Sequence, residues 1–502
     1  MTFPDRSIIF RADGHARMGL GHLYRSAALA AMLKPYFRCR LVYHHAPRRA
    51  LMAIAANFYD SVALEDDGPD ALLRRITPGE NAFLPIIVLD GYHFRTDYQR
   101  AIVDAGHKLV CIDDIHDCEF LADLIINHAP VTGLETKYRH ARHTALAFGT
   151  AFALLRRPFL EAARAPMTEV AGGGFYVCFG GSDGNNVSGQ LIGWLTALGY
   201  TNPIDVVLGG ANRFGDQVAA AAEAYPGEVT VHHNLDDAAM IALYRRSRLA
   251  FLPASTTLLE AIATGVPVVT GHYVDNQIDI YHGFMALGFV RGIADWNAPT
   301  ALGAAIEAAL LTSVEEYRRK ARSVIDGYSD VSLRLLFEQL ATGEEPLTCR
   351  PAGPGEMRQY FEWVNAPAVR QTAIRQDLIA WADHVGWYTR RLADPDSLLL
   401  FYTFRGRPCG QLRYELAEGE AVVSISIDKT FRGKGLGSRL LRLGERQLRA
   451  RHPTLKTLVA YVRPDNLPSV KIFERDGFTF VRREILHGTV LLRLEKLIDA
   501  PQ

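Results

Sequence analysis

With 502 residues the chain is too long for one hydrophobic core, since single cores stop growing near roughly 250–300 residues, and two or three domains are expected. Its 48% hydrophobic and 22% charged residues exclude a disordered or fibrous protein. Lys plus Arg and Asp plus Glu balance at 55 each, which excludes a global basic field that would draw the chain onto nucleic acid or an anionic membrane.

The cysteines (Cys39, Cys111, Cys118, Cys178, Cys349, Cys409) are scattered, without a CxxC pair or a Cys/His cluster at zinc spacing, and read as reduced thiols. The opening "MTFPDRSIIFRADG" lacks the apolar core of a signal peptide, and no window approaches the ~20 apolar residues of a membrane span. A cytoplasmic protein without nucleic-acid or membrane partners is the expectation.

From Ser7 to about Pro166, the runs "IIFRAD", "RCRLVYH", "LPIIVLDG", "KLVCIDD" and "ADLIINH" alternate with helical patterns, as in a parallel α/β sheet buried on both faces. Residues 1–166 are therefore expected to form one Rossmann-like lobe. Within it, "RADGHARMGLGHLYRSAALA" places Gly21 and His22 in a glycine turn between a strand and a helix, with Arg25 one turn on. Two glycines let such a turn run close under a ligand and aim the next side chain into a cleft, where a histidine activates water or merely binds substrate. Asp13, Asp90, Asp113 and Asp114 stand at expected strand ends, able to orient His22, bind hydroxyls or hold a metal. No tight Asp-x-Asp pair occurs, so no catalytic metal is predicted.

A second set of strands, "GFYVCFGGSD", "PIDVVLGG", "EVTVHHN", "RLAFLPAS" and "GVPVVTG", makes residues 167–343 a second such lobe. Its "FGGSDGNN" (Gly180, Gly181, Ser182, Asp183) lies between a strand and a helix, so that its amides are expected to hold a diphosphate. "PASTTLLEAIATGVPVVTGHYVDNQ" supplies Ser255 and Thr256 at a helix start, Glu260 one turn in, and Asn276–Gln277. For Ser255 an ordinary helix cap is an equal alternative.

"ATGEEPLTCRPAGPGE" reads as a linker, and residues 344–502 differ in kind: three strands, a glycine-rich loop, a helix, a strand, a helix and two closing strands. "SISIDKTFRGKGLGSRLL" sets Ile425 and Ile427 before Arg432, Gly433, Lys434, Gly435, Leu436, Gly437 and Ser438, a pyrophosphate cradle opening a helix. The loop resembles the acetyl-CoA loop of GCN5-related N-acetyltransferases (GNAT), and "VRPDNLPSVKIFERDGF" resembles their second signature, with Asn466 and Ser469. The resemblance implies acetyl-CoA as cosubstrate and a backbone amide near Ile427 that polarises the thioester carbonyl. Where family members commonly carry a thiolate-protonating tyrosine, this chain has Phe473, which leaves water or another tyrosine, with Tyr461 as candidate. "VNAPAVRQTAIRQDLIAWADHVGWYTRRL" looks like the acceptor region of acetyltransferases acting on UDP-4-amino sugars. There His384 is either a base for the sugar ammonium or a histidine packed beside two aromatics.

The N-terminal stretch resembles UDP-2,4-diacetamido-2,4,6-trideoxy-β-L-altropyranose hydrolases of pseudaminic acid synthesis, with "RAD" then "GLGHLYR", followed in order by "IVLDGYH" (Asp90, Tyr92), "CIDDIHDCEFLADLIINHAP" and "FALLRRPFL". That family has a two-lobed GT-B fold. The resemblance implies His22 as base for water attacking the anomeric carbon, UDP as leaving group, and a UDP-sugar site formed with the second lobe, Glu260 serving a ribose hydroxyl. The combined expectation is a bifunctional enzyme that acetylates UDP-4-amino-4,6-dideoxy-N-acetyl-β-L-altrosamine and then hydrolyses the product. Acetyltransferases of this kind often pair, which adds a homodimer to the expectations. The alternatives are a GT-B glycosyltransferase fused to an acetyltransferase, or an acetyltransferase carrying a non-catalytic UDP-sugar module.

Overall fold

The computed structural model describes residues 3–498 apart from 16–18, 77–82, 166–172, 182, 234, 300, 344–346, 375, 405, 418, 434 and 487. The chain divides into two compact units, Met1–Ala341 and Thr342–Gln502.

Among the described residues the first unit holds two large parallel sheets and a two-stranded one, Glu119–Phe120 with Arg139–His140. In one large sheet, the strands run in the order Asp60–Ala63, Phe37–Tyr43, Phe3–Ala12, Ile86–Asp90, Lys108–Ile112, Leu124–Asn127, Ala145–Phe148. Ile86–Asp90 is buried at every position because helices cover both faces, which explains its unbroken apolar run. The last strand, Ala145–Phe148, is too short and irregular to stand out in the sequence. Strand order reverses between Phe3–Ala12 and Ile86–Asp90, and the helix Gly21–Leu33 starts above that crevice, where open α/β sheets bind ligands. The alanines of that helix, Ala27, Ala28 and Ala30, are buried and let it pack closely on the sheet.

The second sheet runs Val229–His233, Ile204–Leu208, Gly174–Val177, Ser247–Pro253, Val268–His272, Arg291–Asp295, again all parallel. Its order reverses between Gly174–Val177 and Ser247–Pro253, so the loop at Gly180 and the helix Thr256–Thr264 flank one crevice. A continuous apolar core joins the first sheet to one face of the second, through Tyr176, Tyr244 and Leu258. The helix Ser329–Thr342 buries Leu333 and Phe337 in that core, and Arg334 donates to the Tyr36 hydroxyl at 2.8 Å.

The second unit is one mixed sheet of seven strands. The segment read as a linker contains its first strand, Leu347–Pro351, which pairs antiparallel with Ser397–Phe404; the surrounding Pro and Gly hid a short edge strand. Glu420–Ile427 lies between an antiparallel neighbour, Arg407–Ala417, and a parallel one, Thr457–Val462. The parallel pairing stops at Val422–Val459, so the sheet splits there and Val423 to Ile427 leave the second neighbour. The helices Leu436–Arg451 and Leu467–Arg475 follow the two diverging strands. No helix among the described residues is long and apolar enough to cross a membrane.

Candidate functional site

In the first unit the reversal of strand order brings His22 to Asp90. His22 Nδ1 lies 2.7 Å from Asp90 Oδ1, a bond that keeps the proton on Nδ1 and leaves the Nε2 lone pair for a substrate. Asp90 is wholly buried and also accepts from Arg25 Nε at 2.9 Å, Arg25 Nη2 at 2.7 Å and Ser26 Oγ at 3.2 Å. Burial opposes ionisation of Asp90, but the charges of Arg25 and His22 outweigh it and hold its carboxyl below the usual range. Arg25 reaches Asp114 Oδ2 at 2.6 Å with its other amine, so one guanidinium ties both carboxylates. Tyr92 meets the His22 ring edge-on at 4.7 Å, and its hydroxyl accepts from Asn276 Nδ2 of the second sheet's domain at 2.7 Å. Burial and then the Asp114 charge keep Tyr92 protonated, well above its ordinary pKa.

Several expected site residues are engaged elsewhere. Asp13 does not reach His22: it pairs with buried Arg11 at 2.7 Å and accepts the amides of His44 and His45 at 2.7 and 2.9 Å. The reason is the Arg11 charge, which sits inside the sheet and takes Asp13 and Asp67 as counterions. Asp13, Asp67 and His93 also come close enough to hold a metal ion, although both carboxylates already pair with Arg11. Gly180 adopts a left-handed φ of 75°, and Gly181 approaches Gly209 so closely that a Cβ on Gly209 would stand 2.5 Å from the Gly181 backbone. Ser182 lies outside the described residues. Asp183 accepts the amides of Val187 and Ser188 at 2.8 and 3.0 Å, so the helix start expected to take a diphosphate is occupied by the chain's own carboxylate.

The neighbouring helix Thr256–Thr264 differs. Its N-cap, Ser255, makes no capping bond and instead meets Thr257 Oγ1 at 3.0 Å, leaving the amides at Thr256 without a side-chain cap among the described residues. Of the two crevice helices, this one starts without a side-chain cap among the described residues. Glu260, expected at a ribose hydroxyl, is buried and receives Arg156 Nε at 2.9 Å, a partner from "FALLRRPFL" that the sequence reading did not assign. Gln277 accepts the Tyr273 amide at 3.0 Å. Gly21 and Arg25 sit at the helix start beneath these groups.

In the second unit Gly433 and Gly435 take left-handed φ values of 70° and 71°, which an L side chain resists, and Gly435 is the N-cap of Leu436–Arg451. A glycine offers no capping side chain, so the first-turn amides are presented to an anion. Arg432 Nε donates to the Ile427 carbonyl at 2.9 Å and fixes the loop on the strand; Lys434 lies outside the described residues. Ile425 and Ile427 pair with Leu412 and Gly410 on one side, while their other edge faces the split. Leu436, Gly437 and Ser438 are buried, and a Cβ on Gly437 would meet Ile472 at 3.0 Å.

Asn466 and Ser469, expected as cofactor contacts, form a helix cap: Asn466 Oδ1 accepts the Ser469 amide at 3.3 Å. Phe473 packs on Phe478 at 5.1 Å. The Tyr461 hydroxyl accepts from Arg493 Nη1 at 2.8 Å, and Arg493 is in turn held by Glu420 and Glu495. His384 follows its packing alternative: it is 1% exposed, Nε2 donates to the Met357 carbonyl at 3.0 Å, and Phe361, Trp381, Trp387 and Tyr388 surround the ring. Burial lowers its pKa, so it is a neutral ring locked to the backbone and not an open base. Asn365 brackets Ile379 with two bonds, 3.0 and 2.9 Å, and Arg370 Nε binds the Val364 carbonyl at 2.6 Å, so both shape the loop instead of projecting from it.

Residues 359–478 match the acetyltransferase (GNAT) family. Over 484 residues the chain is 21% identical to an uncharacterized protein of Methanocaldococcus jannaschii, a match spanning both units that covers 93% of this chain and 95% of the other. Mycothiol acetyltransferase of Corynebacterium glutamicum is 32% identical over 111 residues, 20% of this chain and 37% of that enzyme. Among solved structures, the aminoglycoside acetyltransferase AAC(6')-Ib with coenzyme A aligns at TM-score 0.27 and 17% identity, covering 30% of this chain and 94% of its own. Spermidine N-acetyltransferase from Vibrio cholerae, with CoA and spermine, aligns at TM-score 0.28 and 17% identity, covering 31% and 96%. The family match falls on the split sheet and its glycine-capped helix, and the second unit is accordingly an acetyltransferase domain of the GNAT family with acetyl-CoA as its cosubstrate.

Proposed function

We propose that the chain is a bifunctional enzyme of nucleotide-sugar metabolism, with a two-lobed GT-B hydrolase in its first unit and an amino-sugar N-acetyltransferase in its second. The observation that carries the hydrolase reading is the buried His22–Asp90 pair at 2.7 Å in the crevice of the first sheet.

In this reading His22 Nε2 takes a proton from water as the water oxygen bonds to the anomeric carbon. The bond from that carbon to the phosphate oxygen breaks with inversion, and Asp90 stabilises the imidazolium. UDP leaves as an anion and needs positive dipoles more than a proton, which the uncapped start of Thr256–Thr264 supplies. The Tyr92–Asn276 bond joins the two lobes across the sugar position.

In the acetyltransferase domain the split edge beside Ile427 receives the thioester, and the cradle from Arg432 to Ser438 holds the pyrophosphate. The acceptor amine nitrogen bonds to the acetyl carbon, the carbon–sulfur bond breaks, the proton lost by the nitrogen passes to water, and the thiolate takes a proton from water, since Phe473 has none to give. The acceptor in this reading is the 4-amino group of UDP-4-amino-4,6-dideoxy-N-acetyl-β-L-altrosamine, and the diacetamido product is the substrate of the first unit. The test is to incubate the protein with this nucleotide sugar, with and without acetyl-CoA, and follow sugar, UDP and nucleotide sugar by mass spectrometry. Gain of one acetyl group followed by UDP release only with acetyl-CoA is expected. Acetylation with UDP retained would replace hydrolysis by transfer to another acceptor.

A further inference from the structure

Asp279, in the first turn of the helix Ile278–Ala286 on the second sheet's side, reaches across the first unit with its carboxylate. Oδ1 accepts from Lys137 Nζ at 2.5 Å and Oδ2 from His116 Nε2 at 3.0 Å, and both partners follow strands of the first sheet. Burial opposes the Asp279 charge, but the bonds from Lys137 and His116 outweigh it and hold the carboxyl below its ordinary range. Asp113 shapes the loop that carries His116: its Oδ2 accepts the Ile115 and His116 amides at 3.2 and 2.8 Å, and the hydroxyl of Tyr138, next to Lys137, at 2.9 Å. His116 is thereby held at a left-handed φ of 44°, which an L side chain resists. The next residue after Asp113, Asp114, binds Arg25 of the His22 centre at 2.6 Å. One turn beyond Asp279, a Cβ on Gly283 would stand 2.8 Å from the Pro130 backbone, so the same helix lies directly against the first sheet's side. Three residues before Asp279, Asn276 donates to Tyr92, whose ring meets His22 edge-on.

We propose that Asp279 is a positioning residue for the His22 centre: clamped by Lys137 and His116, it fixes the segment carrying Asn276 against Tyr92 and so sets where the sugar of a bound nucleotide meets His22. This rests on the hydrolase reading of the first unit. Two short routes lead from the clamp to the imidazole. One runs back three residues from Asp279 to Asn276 and through Tyr92 to the ring edge. The other runs from His116 through the Asp113–Asp114 turn to Arg25, and from there to Asp90 and His22. In this reading the nucleotide is held by the second sheet's side alone, whereas the reacting sugar needs groups of both sides at once. Opening the clamp therefore spares UDP and impairs the sugar, because a misplacement of about 1 Å at a reacting centre costs up to about 10²-fold in rate.

The test uses the full chain, with UDP release from the UDP-linked diacetamido sugar followed by steady-state kinetics and UDP binding by calorimetry. Asp279→Asn is expected to lower kcat/KM for UDP release about tenfold and to leave UDP affinity within about twofold, which also controls for misfolding. Asp279→Glu, which keeps the charge, should recover most of the loss. Lys137→Met should impair release in the same way, and combined with Asp279→Asn it should lose no more than Asp279→Asn alone, because both open one clamp. Unchanged UDP release in Asp279→Asn, an equal loss of UDP affinity, or multiplied effects in the double variant would overturn the proposal. If the native chain binds the nucleotide sugar without releasing UDP, hydrolysis falls and the clamp is judged by affinity: Asp279→Asn weakening the nucleotide sugar but not UDP keeps it, and equal affinities remove it. A native chain that binds neither UDP nor the nucleotide sugar would remove both.

Discussion

Asp90 and Asp13 show what one residue's surroundings decide. Both end neighbouring strands of the first sheet, yet only Asp90 reaches His22, because Arg11 two residues earlier in the chain claims Asp13. If His22 is the general base, His22→Ala should lower UDP release by about 10²–10⁴-fold with an unchanged unfolding curve, measured by steady-state kinetics beside denaturant titration. Asp90→Asn should behave differently. It removes the counterion of a buried guanidinium, so a loss of about 3–5 kcal/mol in denaturant stability is expected in addition to lost activity. Asp90 has its pKa lowered by folding, so its stabilising share is present above the ordinary carboxylate pKa of about 3.9 and is lost as pH falls below it. His128 is also depressed, so the unfolded chain takes up its proton first. Its share is lost as pH falls from about 6.5 toward the folded value of about 4. Unfolding midpoints for His128→Gln should therefore flatten between those pH values while Asp90→Asn flattens the curve only below them. Asp90 and His22 were legible in the sequence because strand ends and a glycine turn announce a crevice. Asp13 was misplaced because its counterion pairing is tertiary.

At the scale of elements, the two helix starts at the second sheet's crevice have opposite fates. "GGSDGNN" looked like a diphosphate loop, but Asp183 folds back onto the amides of Val187 and Ser188, while the start at Ser255 stays uncapped. Asn466 likewise caps a helix, its side chain serving the Ser469 amide. A capping side chain and a ligand compete for the same amides, and sequence spacing does not say which holds them. The Gly180–Gly181 turn nevertheless depends on a partner that sequence spacing did not pair with it. Gly209→Ala would drive a Cβ into the Gly181 backbone at 2.5 Å, a contact that only movement of the turn relieves. Weaker UDP binding, by about tenfold in calorimetry, with acetyl transfer unchanged, is the expected outcome. Unaltered UDP affinity would show that the turn is remote from the nucleotide.

For the whole molecule, the family match reaches only the second unit, whereas the match to the Methanocaldococcus jannaschii protein runs through both, so the pairing of the units on one chain recurs. The sequence showed the change from parallel to mixed sheet order, which separates the two units; the edge strand Leu347–Pro351 was lost in the Pro- and Gly-rich stretch between them, and the short strands Asp60–Ala63, Ala145–Phe148 and Arg291–Asp295 were lost as well. Each unit has its own core and its own helix start without a side-chain cap, so a defect in one is not expected to reach the other. Gly435→Glu would place a carboxylate in the left-handed N-cap position and repel the pyrophosphate, abolishing acetyl transfer while UDP release from pre-acetylated sugar continues. Mixing this variant with His22→Ala then asks how the intermediate travels. If each unit works from its own site, the mixture should convert amino sugar to free diacetamido sugar at a rate comparable to the native chain. A mixture that accumulates acetylated nucleotide sugar while the native chain does not would show instead that the product passes between units of one molecule.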